Sequence, residues 1–277
     1  MKKYFNLLLI TLIIPAASIF AQTAGNELMD KGYAELQKKN YDGALGYFEK
    51  FVKQNPESPT GYNARGTTFF LMQKLGPAIE DLSNAIELDS TYAVPYKSRG
   101  LCYFTQEKYD LAFSDLNKAS DLLPKDAGIL NYVAMVYLKK NDANMAFKYF
   151  AKAEQVDPKC MDTYHNRGAI YEYAGDTLKA LAEMNRAVEI DPNDASNYVF
   201  RGAVYKDMGR YRDAISDYDK AIKINSNYAE AYARRGIAYL RMGNKERAIK
   251  DIEYGLKLDP GLEKDVSSYL EEAKENR

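Results

Sequence analysis

Few side chains in this sequence could serve as a nucleophile, a general base or a metal ligand. His165 is the single histidine among 277 residues, and Cys102 and Cys160 are the two cysteines. Catalysis needs a nucleophile or a base with a partner in reach. The sequence contains no glycine-rich phosphate loop, no His-Glu-x-x-His and no Gly-x-Ser-x-Gly motif. It therefore predicts no catalytic residue, no metal site, no cofactor and no enzymatic activity, with both cysteines as free thiols and His165 in ordinary surface hydrogen bonds.

Arginine recurs in this sequence with an acid sixteen residues after it. An arginine among apolar core positions must find a carboxylate, because an unpaired buried charge is very costly. Where the pattern has Lys31 or Val133 instead of arginine, a tyrosine and not an acid follows sixteen residues later. We therefore expect ion pairs that stabilise the fold, each between two helices of one structural unit. The five pairs are Arg65 with Asp81, Arg99 with Asp115, Arg167 with Glu183, Arg201 with Asp217, and Arg235 with Asp251.

The charge balance argues against a nucleic-acid partner. Lysine and arginine together number 38 and the acids number 39, which gives a net charge of −1. Proteins that bind nucleic acid usually carry a basic face that meets the phosphates. With 46% hydrophobic residues, the chain also has enough apolar surface to form a core. We expect a folded protein that does not bind nucleic acid.

The first 21 residues have the order of a secretory signal peptide. Two lysines precede an apolar run from Phe5 to Phe20, and small residues accompany its end. We expect cleavage after Ala21, with a cut after Ser18 as the alternative, and no stable membrane span afterwards. An uncleaved anchor is the other interpretation, although Pro15 interrupts a run shorter than the ~20 residues that span a bilayer. The expected location is the periplasm or the cell exterior, and the lack of any Asn-x-Ser/Thr sequence favours a bacterium.

The dominant feature of the sequence is a period of 34 residues. From Gly25 to Leu262 the chain divides into seven windows without an insertion or a deletion. Place eight of the window is glycine in six copies, place four is tyrosine in five, and place thirty-two is proline in five. Self-similarity at such a period is the signature of a repeat protein. Place twenty is alanine in all seven windows: Ala44, Ala78, Ala112, Ala146, Ala180, Ala214 and Ala248.

Each window predicts two helices joined by a turn. Apolar or small residues at places four, eight and eleven recur at helical spacing, and a second stripe runs through places twenty, twenty-four and twenty-seven. Glycine is a poor helix former, so we expect the glycine of place eight to face the alanine of place twenty and let the backbones approach. Gly175, Gly209 and Gly243 fall at the turn, where a left-handed helix cap suits glycine.

These windows resemble the tetratricopeptide repeat (TPR), whose tyrosine, glycine, alanine and proline places they match. The resemblance implies an all-α, right-handed superhelical solenoid of seven helix pairs. Residues 263–277 have an apolar stripe and predict a C-terminal capping helix, with a docking helix for a partner as the alternative. The predicted repeats are 25–58, 59–92, 93–126, 127–160, 161–194, 195–228 and 229–262.

The resemblance also implies where a partner binds, since the first helices of TPR solenoids line a concave groove. Places two, five, six, nine, twelve and thirteen point there. We expect the groove to be apolar in the first four repeats and charged in the last three, with contacts across repeats two to four. Alternatively, places nine and twelve belong partly to the core. The candidate binding residues are Tyr33, Leu36, Phe70, Leu71, Leu101, Phe104, Tyr132, Met135, Leu138, Tyr173 and Arg234.

Together these observations predict an exported adaptor or scaffold that binds a protein or peptide partner in the groove. The alternative is a carrier or sensor in the cell envelope that binds a small molecule or a polysaccharide. Binding to peptides rather than to cell-wall sugars separates the two.

Overall fold

The computed structural model describes residues 26–275, and every regular element among these residues is a helix. The predicted signal peptide and its cleavage site lie outside the described residues. Each predicted repeat supplies two α-helices, and one more α-helix follows the last repeat. In chain order these are α1 (Glu27–Gln37), α2 (Tyr41–Gln54), α3 (Pro59–Leu71), α4 (Leu75–Leu88), α5 (Ala93–Thr105), α6 (Tyr109–Leu122), α7 (Ala127–Lys139), α8 (Ala143–Val156), α9 (Met161–Tyr173), α10 (Thr177–Ile190), α11 (Ala195–Asp207), α12 (Tyr211–Ile224), α13 (Ala229–Arg241), α14 (Lys245–Leu258) and α15 (Glu263–Lys274).

The helices group into two compact units. Unit 1 ends at residue 160 and holds repeats one to four, and unit 2 begins at residue 161 and holds repeats five to seven with α15. Within each unit the two helices of a repeat pack on each other, and each second helix packs on the first helix of the next repeat. Neighbour-to-neighbour packing of this kind defines a solenoid. The predicted all-α class and the tandem helix pairs are confirmed. No helix within residues 26–275 is long and apolar enough to cross a membrane.

Two places of the second helix form the centre of each repeat. The alanine of place twenty is 0% exposed in every repeat, and the larger side chain of place twenty-four is almost fully buried beside it. That larger side chain, and not the alanine side chain, faces the glycine of place eight. A Cβ on Gly32 would lie 2.4 Å from the ring of Phe48, and one on Gly202 would lie 2.6 Å from the ring of Tyr218. In three repeats that Cβ would also lie 2.9–3.3 Å from the backbone oxygen of the place-twenty alanine, so the expected close approach of the two backbones is confirmed there, at Gly66, Gly100 and Gly236. Glycine is needed because a bulky side chain already fills that space.

The five predicted ion pairs are confirmed, each inside its own repeat. Arg99 shows the usual geometry, since its Nε and Nη2 donate to the two carboxylate oxygens of Asp115 at 2.7 and 2.9 Å. The same two-point contact joins Arg65 to Asp81, Arg201 to Asp217, and Arg235 to Asp251, while Arg167 Nη2 donates to Glu183 at 2.8 Å. The four aspartates are 3–7% exposed, so these charges are nearly buried and mutually neutralised.

Three of these arginines also bind the preceding repeat, which the sequence analysis did not predict. Their remaining Nη1 group donates to a polar side chain at place twenty-five of the repeat before. The bonds run from Arg99 to Ser83 Oγ at 2.9 Å, from Arg201 to Asn185 Oδ1 at 3.1 Å, and from Arg235 to Asp219 Oδ1 at 2.6 Å. One guanidinium thereby connects three helices of two repeats.

The turn inside every repeat has one residue in the left-handed backbone region. Gly175, Gly209 and Gly243 adopt φ values of 72–80°, as predicted. The equivalent place in the first four repeats adopts the same conformation without glycine, at φ values of 59–61°. Those residues are Lys39, Gln73, Glu107 and Asn141.

The helix α15 covers the end of unit 2. Val266 and Ala273 are buried, and Tyr269 and Leu270 pack against apolar residues of α13 and α14. Arg241 of α13 pairs with Glu272 at 2.6 Å. The apolar stripe of this helix therefore packs on repeat seven, as a capping helix does.

Candidate functional site

The first helices form one side of each unit, and we call that side the inner face. Besides packing on second helices, first helices of neighbouring repeats also pack on each other, as α3 does on α5 and α11 does on α13. This approach draws the repeats together on the first-helix side, which makes it the concave side within a unit. The inner face comprises places two, five, six, nine, twelve and thirteen of each repeat.

In unit 1 the close approach of the first helices covers much of the predicted apolar groove. Phe70, Leu101, Phe104 and Met135, which were expected to contact a partner, are only 2–8% exposed. Tyr33 is buried as well, against Phe48. These five side chains, all at places nine and twelve, do not present an open apolar surface. They fill the space between neighbouring helices, which bears out the alternative that these places belong partly to the core. Four candidates remain half-buried at the surface: Leu36, Leu71, Tyr132 and Leu138.

Unit 1 also buries polar groups on its inner face. Asn63 Nδ2 donates to the hydroxyl of Tyr92 at 3.2 Å, and burial raises the pKa of that tyrosine to about 12. Among the described residues, Asn63 Oδ1 and Thr67 Oγ1 have no hydrogen-bond partner. Two repeats later, at the same place, Asn131 Nδ2 donates to the sulfur of Cys160 at 3.3 Å.

The two cysteines are free thiols, since Cys160 is not joined to Cys102 by a disulfide. Burial raises the pKa of the Cys102 thiol to about 12, so it is not a reactive thiolate.

Charged side chains come together on the inner face of unit 2. Glu172 lies at the end of α9, Lys206 and Asp207 at the end of α11, and Glu230 and Arg234 in the first half of α13. We call these five residues the charged cluster. Arg234 Nη2 and Nε bind Glu230 Oε1 at 2.7 and 2.8 Å, and Lys206 pairs with Asp207 beside it. Glu172 is left without a salt bridge among the described residues.

The environment of Glu172 favours its protonated form. Burial raises the pKa of Glu172 to about 7, and a hydrogen bond with Asp207 and the charge of that acid act in the same direction, against the opposing effect of Arg234 and Lys206. Although burial disfavours the charge of Arg234, the neighbouring Glu230 and other negative groups leave its pKa raised. The cluster thus holds Arg234, a permanent cation in a half-buried setting, and one carboxyl group, that of Glu172, which gains or loses a proton near neutral pH.

Tyr218 of α12 contributes a buried hydroxyl to the same place. Its side chain is 0% exposed, and its hydroxyl has no hydrogen-bond partner among the described residues. Burial raises its pKa, Arg234 opposes that effect, and the charges of Asp207, Glu230 and Glu172 reinforce it. The hydroxyl is therefore within electrostatic range of charged groups on α9, α11 and α13. From the sequence this tyrosine is expected only as a core residue, and its place-twenty-four position gives no other signal.

The two remaining sequence candidates of unit 2 lie on the same face but differ in exposure. Tyr173 follows Glu172 and is 63% exposed, so it presents an aromatic ring to solvent. Arg234 is half-buried within the charged cluster. Glu172 and Asp207 belong to the groove places of the sequence pattern, but the pattern did not identify them as a carboxyl pair. The available signal was their position, at places twelve and thirteen of neighbouring repeats.

His165 has a structural role on this face. Asn197 Nδ2 donates to the carbonyl oxygens of Ala187 and Asp191, which leaves its Oδ1 to accept from His165 Nε2 at 2.7 Å. Burial lowers the pKa of the histidine, so the neutral ring is favoured. Within residues 26–275 no three His, Cys, Asp or Glu side chains are placed to hold a metal ion.

Five family models match the sequence, and all are described as tetratricopeptide or TPR repeats. The matched residues are 29–93, 128–160, 161–194, 202–243 and 229–262. Comparison with curated proteins finds no match.

Several solved structures share the fold. A tetratricopeptide repeat protein from Parabacteroides merdae is 20% identical with a TM-score of 0.66, over 89% of this chain and 97% of that one. A chain of the APC/C hetero-tetramer Cut9-Hcn1 is 17% identical with a TM-score of 0.67, over 98% of this chain and 53% of that one. Yeast Tom70 is 19% identical with a TM-score of 0.65, over 92% of this chain and 66% of that one. The chain thus spans about half the length of the Cut9-Hcn1 relative. At these identities the likeness shows the fold alone.

Proposed function

Because this chain is a tetratricopeptide-repeat protein, we propose that it is an exported adaptor that holds a segment of another protein on the inner face of repeats five to seven. Tandem helix pairs serve as scaffolds for protein–protein interaction, because packing between neighbours leaves a long concave surface open. The proposal moves the expected contact from repeats two to four into unit 2, since the apolar anchors expected in unit 1 are buried.

The observation that carries the proposal is that the charged cluster does not follow the period. Glu172 stands at place twelve, where the first four repeats and the last have leucine or phenylalanine. Arg234 is the only basic residue at place six among the seven repeats. Residues that recur with the period form the fold of each repeat. Half-buried charges that depart from the period lower the stability of the fold and are not required by it. Proteins retain such destabilising residues where they serve a function, as in a binding site.

The inner face of unit 2 offers two kinds of contact to a bound segment. Tyr173 is an exposed aromatic ring, and tyrosine is among the residues that carry most binding energy in protein interfaces. The neighbouring charges select the partner and its orientation, because mismatched charges are strongly disfavoured when they are desolvated. The proposal contains no catalytic step. Among residues 26–275 no observation favours the alternative of a carrier for a small molecule or a polysaccharide.

Export is part of the proposal and is supported by the order of lysines, apolar run and small residues in residues 1–21. Removal of these residues takes away two lysines, so the mature chain has 36 basic and 39 acidic residues and a net charge of −3. Intact-mass measurement on the native protein is the test. We expect a chain that begins between residues 19 and 25, and a mass that includes residues 1–18 would contradict export with cleavage.

Binding is tested with a matched pair of surface variants. A protein retained from the native cell envelope by the purified adaptor is identified, and its affinity is measured by calorimetry. We expect Tyr173→Ala to weaken binding roughly 30-fold, the equivalent of about 2 kcal/mol for a central anchor. Leu178→Ala is the control, because Leu178 is 72% exposed but lies on the second helix α10. If the Leu178 variant loses affinity and the Tyr173 variant does not, the partner binds the side formed by the second helices, and the inner face is not the binding site.

A further inference from the structure

We propose that the charged cluster receives a lysine or arginine side chain of the bound segment, with Glu172 as its counterion and the Tyr218 hydroxyl as a second acceptor. This inference rests on the proposed function and specifies the chemistry of the segment. It follows from three features of the cluster: its charge count, the buried hydroxyl, and the protonation of Glu172, which has no cation paired with it among residues 26–275.

The charge count leaves one acid unmatched. The cluster contains three carboxyl groups, on Glu172, Asp207 and Glu230, and two cations, on Lys206 and Arg234. Both cations are engaged by an acid on their own helix. An anionic group of a partner would meet three carboxyl groups and find both cations occupied. A cationic group would complete the charge balance, and it would form the charge-assisted hydrogen bonds that are strongest in a half-buried setting.

The Tyr218 hydroxyl is the independent sign that this place takes a ligand. A buried polar atom without a partner is uncommon and costs free energy. This one is fully buried on a ring packed over Gly202 of α11, and it interacts electrostatically with Glu172 of α9 and Arg234 of α13. A carboxylate and a phenolic oxygen at one site suit an ammonium or guanidinium group, which has several hydrogens to donate. The hydroxyl would thereby gain the partner it lacks.

Protonation of Glu172 makes the proposed binding of a cation depend on pH. The groups that face Glu172 are Lys206 and Asp207 from α11, Arg234 from α13 and Tyr218 from α12. Since the pKa of Glu172 is raised to about 7 by burial and by Asp207, the free protein carries a proton there at lower pH. A cation binds the ionised form, so the apparent dissociation constant rises as that form becomes scarcer. Affinity should be about tenfold higher at pH 8 than at pH 6.

A peptide selection tests the inference without requiring that the natural partner be identified. Phage-displayed random peptides of twelve residues are selected on the purified protein at pH 8, and the enriched peptides are synthesised for affinity measurements. We expect each to contain one basic residue whose replacement by glutamine weakens binding at least tenfold. Glu172→Gln should cause the same loss and remove the difference between pH 8 and pH 6. Glu263→Gln, a change at an exposed glutamate of α15, is the matched control and should change neither.

The outcomes separate this inference from the function on which it rests. If peptides are enriched but bind without a basic residue, or bind the Glu172→Gln protein equally well, the cation site is refuted and the adaptor function stands. If no peptide is enriched, the binding of a protein segment is itself refuted. The pH dependence of the unaltered protein is a measurement that does not rely on a variant, and a flat profile between pH 6 and pH 8 also overturns the site.

Discussion

The arginine–acid pairs connect residue chemistry to the integrity of the repeats. Their presence was readable from the sequence, because an acid occurs sixteen residues later only where arginine is present. The bond from Arg99 to Ser83 in the preceding repeat was not, because serine at place twenty-five is also a common surface residue. A single guanidinium thus holds its own helix pair together and fixes the neighbouring repeat.

We predict that Arg99 and Asp115 are strongly coupled. Removing one partner leaves an uncompensated, nearly buried charge, which costs about 3–5 kcal/mol and less where solvent reaches it, as it does at Arg99. A double-mutant cycle with Arg99→Met and Asp115→Leu, followed by urea unfolding, measures the coupling. The exposed pair of Lys140 and Asp110 is the control and should couple by about 1 kcal/mol or less. Additive losses at the first pair would contradict its role.

We predict that Glu172 lowers the stability of the free protein at the pH at which its carboxylate is expected to bind a partner. Its pKa is raised from 4.5 to about 7 in the folded protein, so its contribution to stability is present below pH 4.5 and is lost as pH rises through 7. In the Glu172→Gln variant no carboxyl group at this position has to ionise, so this loss of stability at high pH disappears. We expect the variant to be more stable than the unaltered protein at pH 8, by up to about 3 kcal/mol, with a smaller difference near pH 5. Thermal melting at both pH values is the measurement. Equal melting temperatures at pH 8 would show that the carboxyl group is well solvated.

At the scale of the helices, the turn within each repeat is set more by hydrogen bonding than by residue type. In the first repeat Lys39 N donates to Leu36 O and Asn40 N to Glu35 O, and the fifth repeat has the same bonds from Gly175 and Asp176. These bonds satisfy the last carbonyl groups of the first helix. The sequence signals the left-handed residue only where it is glycine or, in the fourth repeat, asparagine, since lysine, glutamine and glutamate give no such signal.

We predict opposite effects for two Gly→Ala changes. At Gly209 the φ of 72° disfavours any Cβ although no atom lies within 4 Å of where it would be, so alanine should cost about 1 kcal/mol through the backbone alone. Gly46 lies inside α2, and a Cβ added there would also meet no atom within 4 Å, so alanine should stabilise by up to about 1 kcal/mol. Urea unfolding of both variants is the test. A gain in stability at Gly209 would contradict the strained turn.

At the scale of the whole chain, the sequence predicts the features that recur with the period, but not which side chains are covered by neighbouring helices. The period defined the helix pairs, the buried alanines and the capping helix, because each of these is a local pattern repeated seven times or next to a repeat. The exposure of the inner face depends on how closely neighbouring first helices approach, and that distance has no sequence pattern of its own. Phe70 and Leu101 were therefore predicted to line the groove, whereas the structure places them in the core. The carboxyl pair of Glu172 and Asp207 joins residues 35 positions apart, beyond the repeat period by one.

Side-chain footprinting gives the sharpest test of whether a partner lies on the inner face of unit 2. Hydroxyl radicals label solvent-exposed side chains, and mass spectrometry compares the free protein with its complex. Tyr173 is 63% exposed on the inner face and Leu178 is 72% exposed on α10. We predict that the partner suppresses labelling of Tyr173 several-fold and leaves Leu178 unchanged. Full labelling of Tyr173 in a saturated complex, with protection at Leu178, would contradict binding on the inner face.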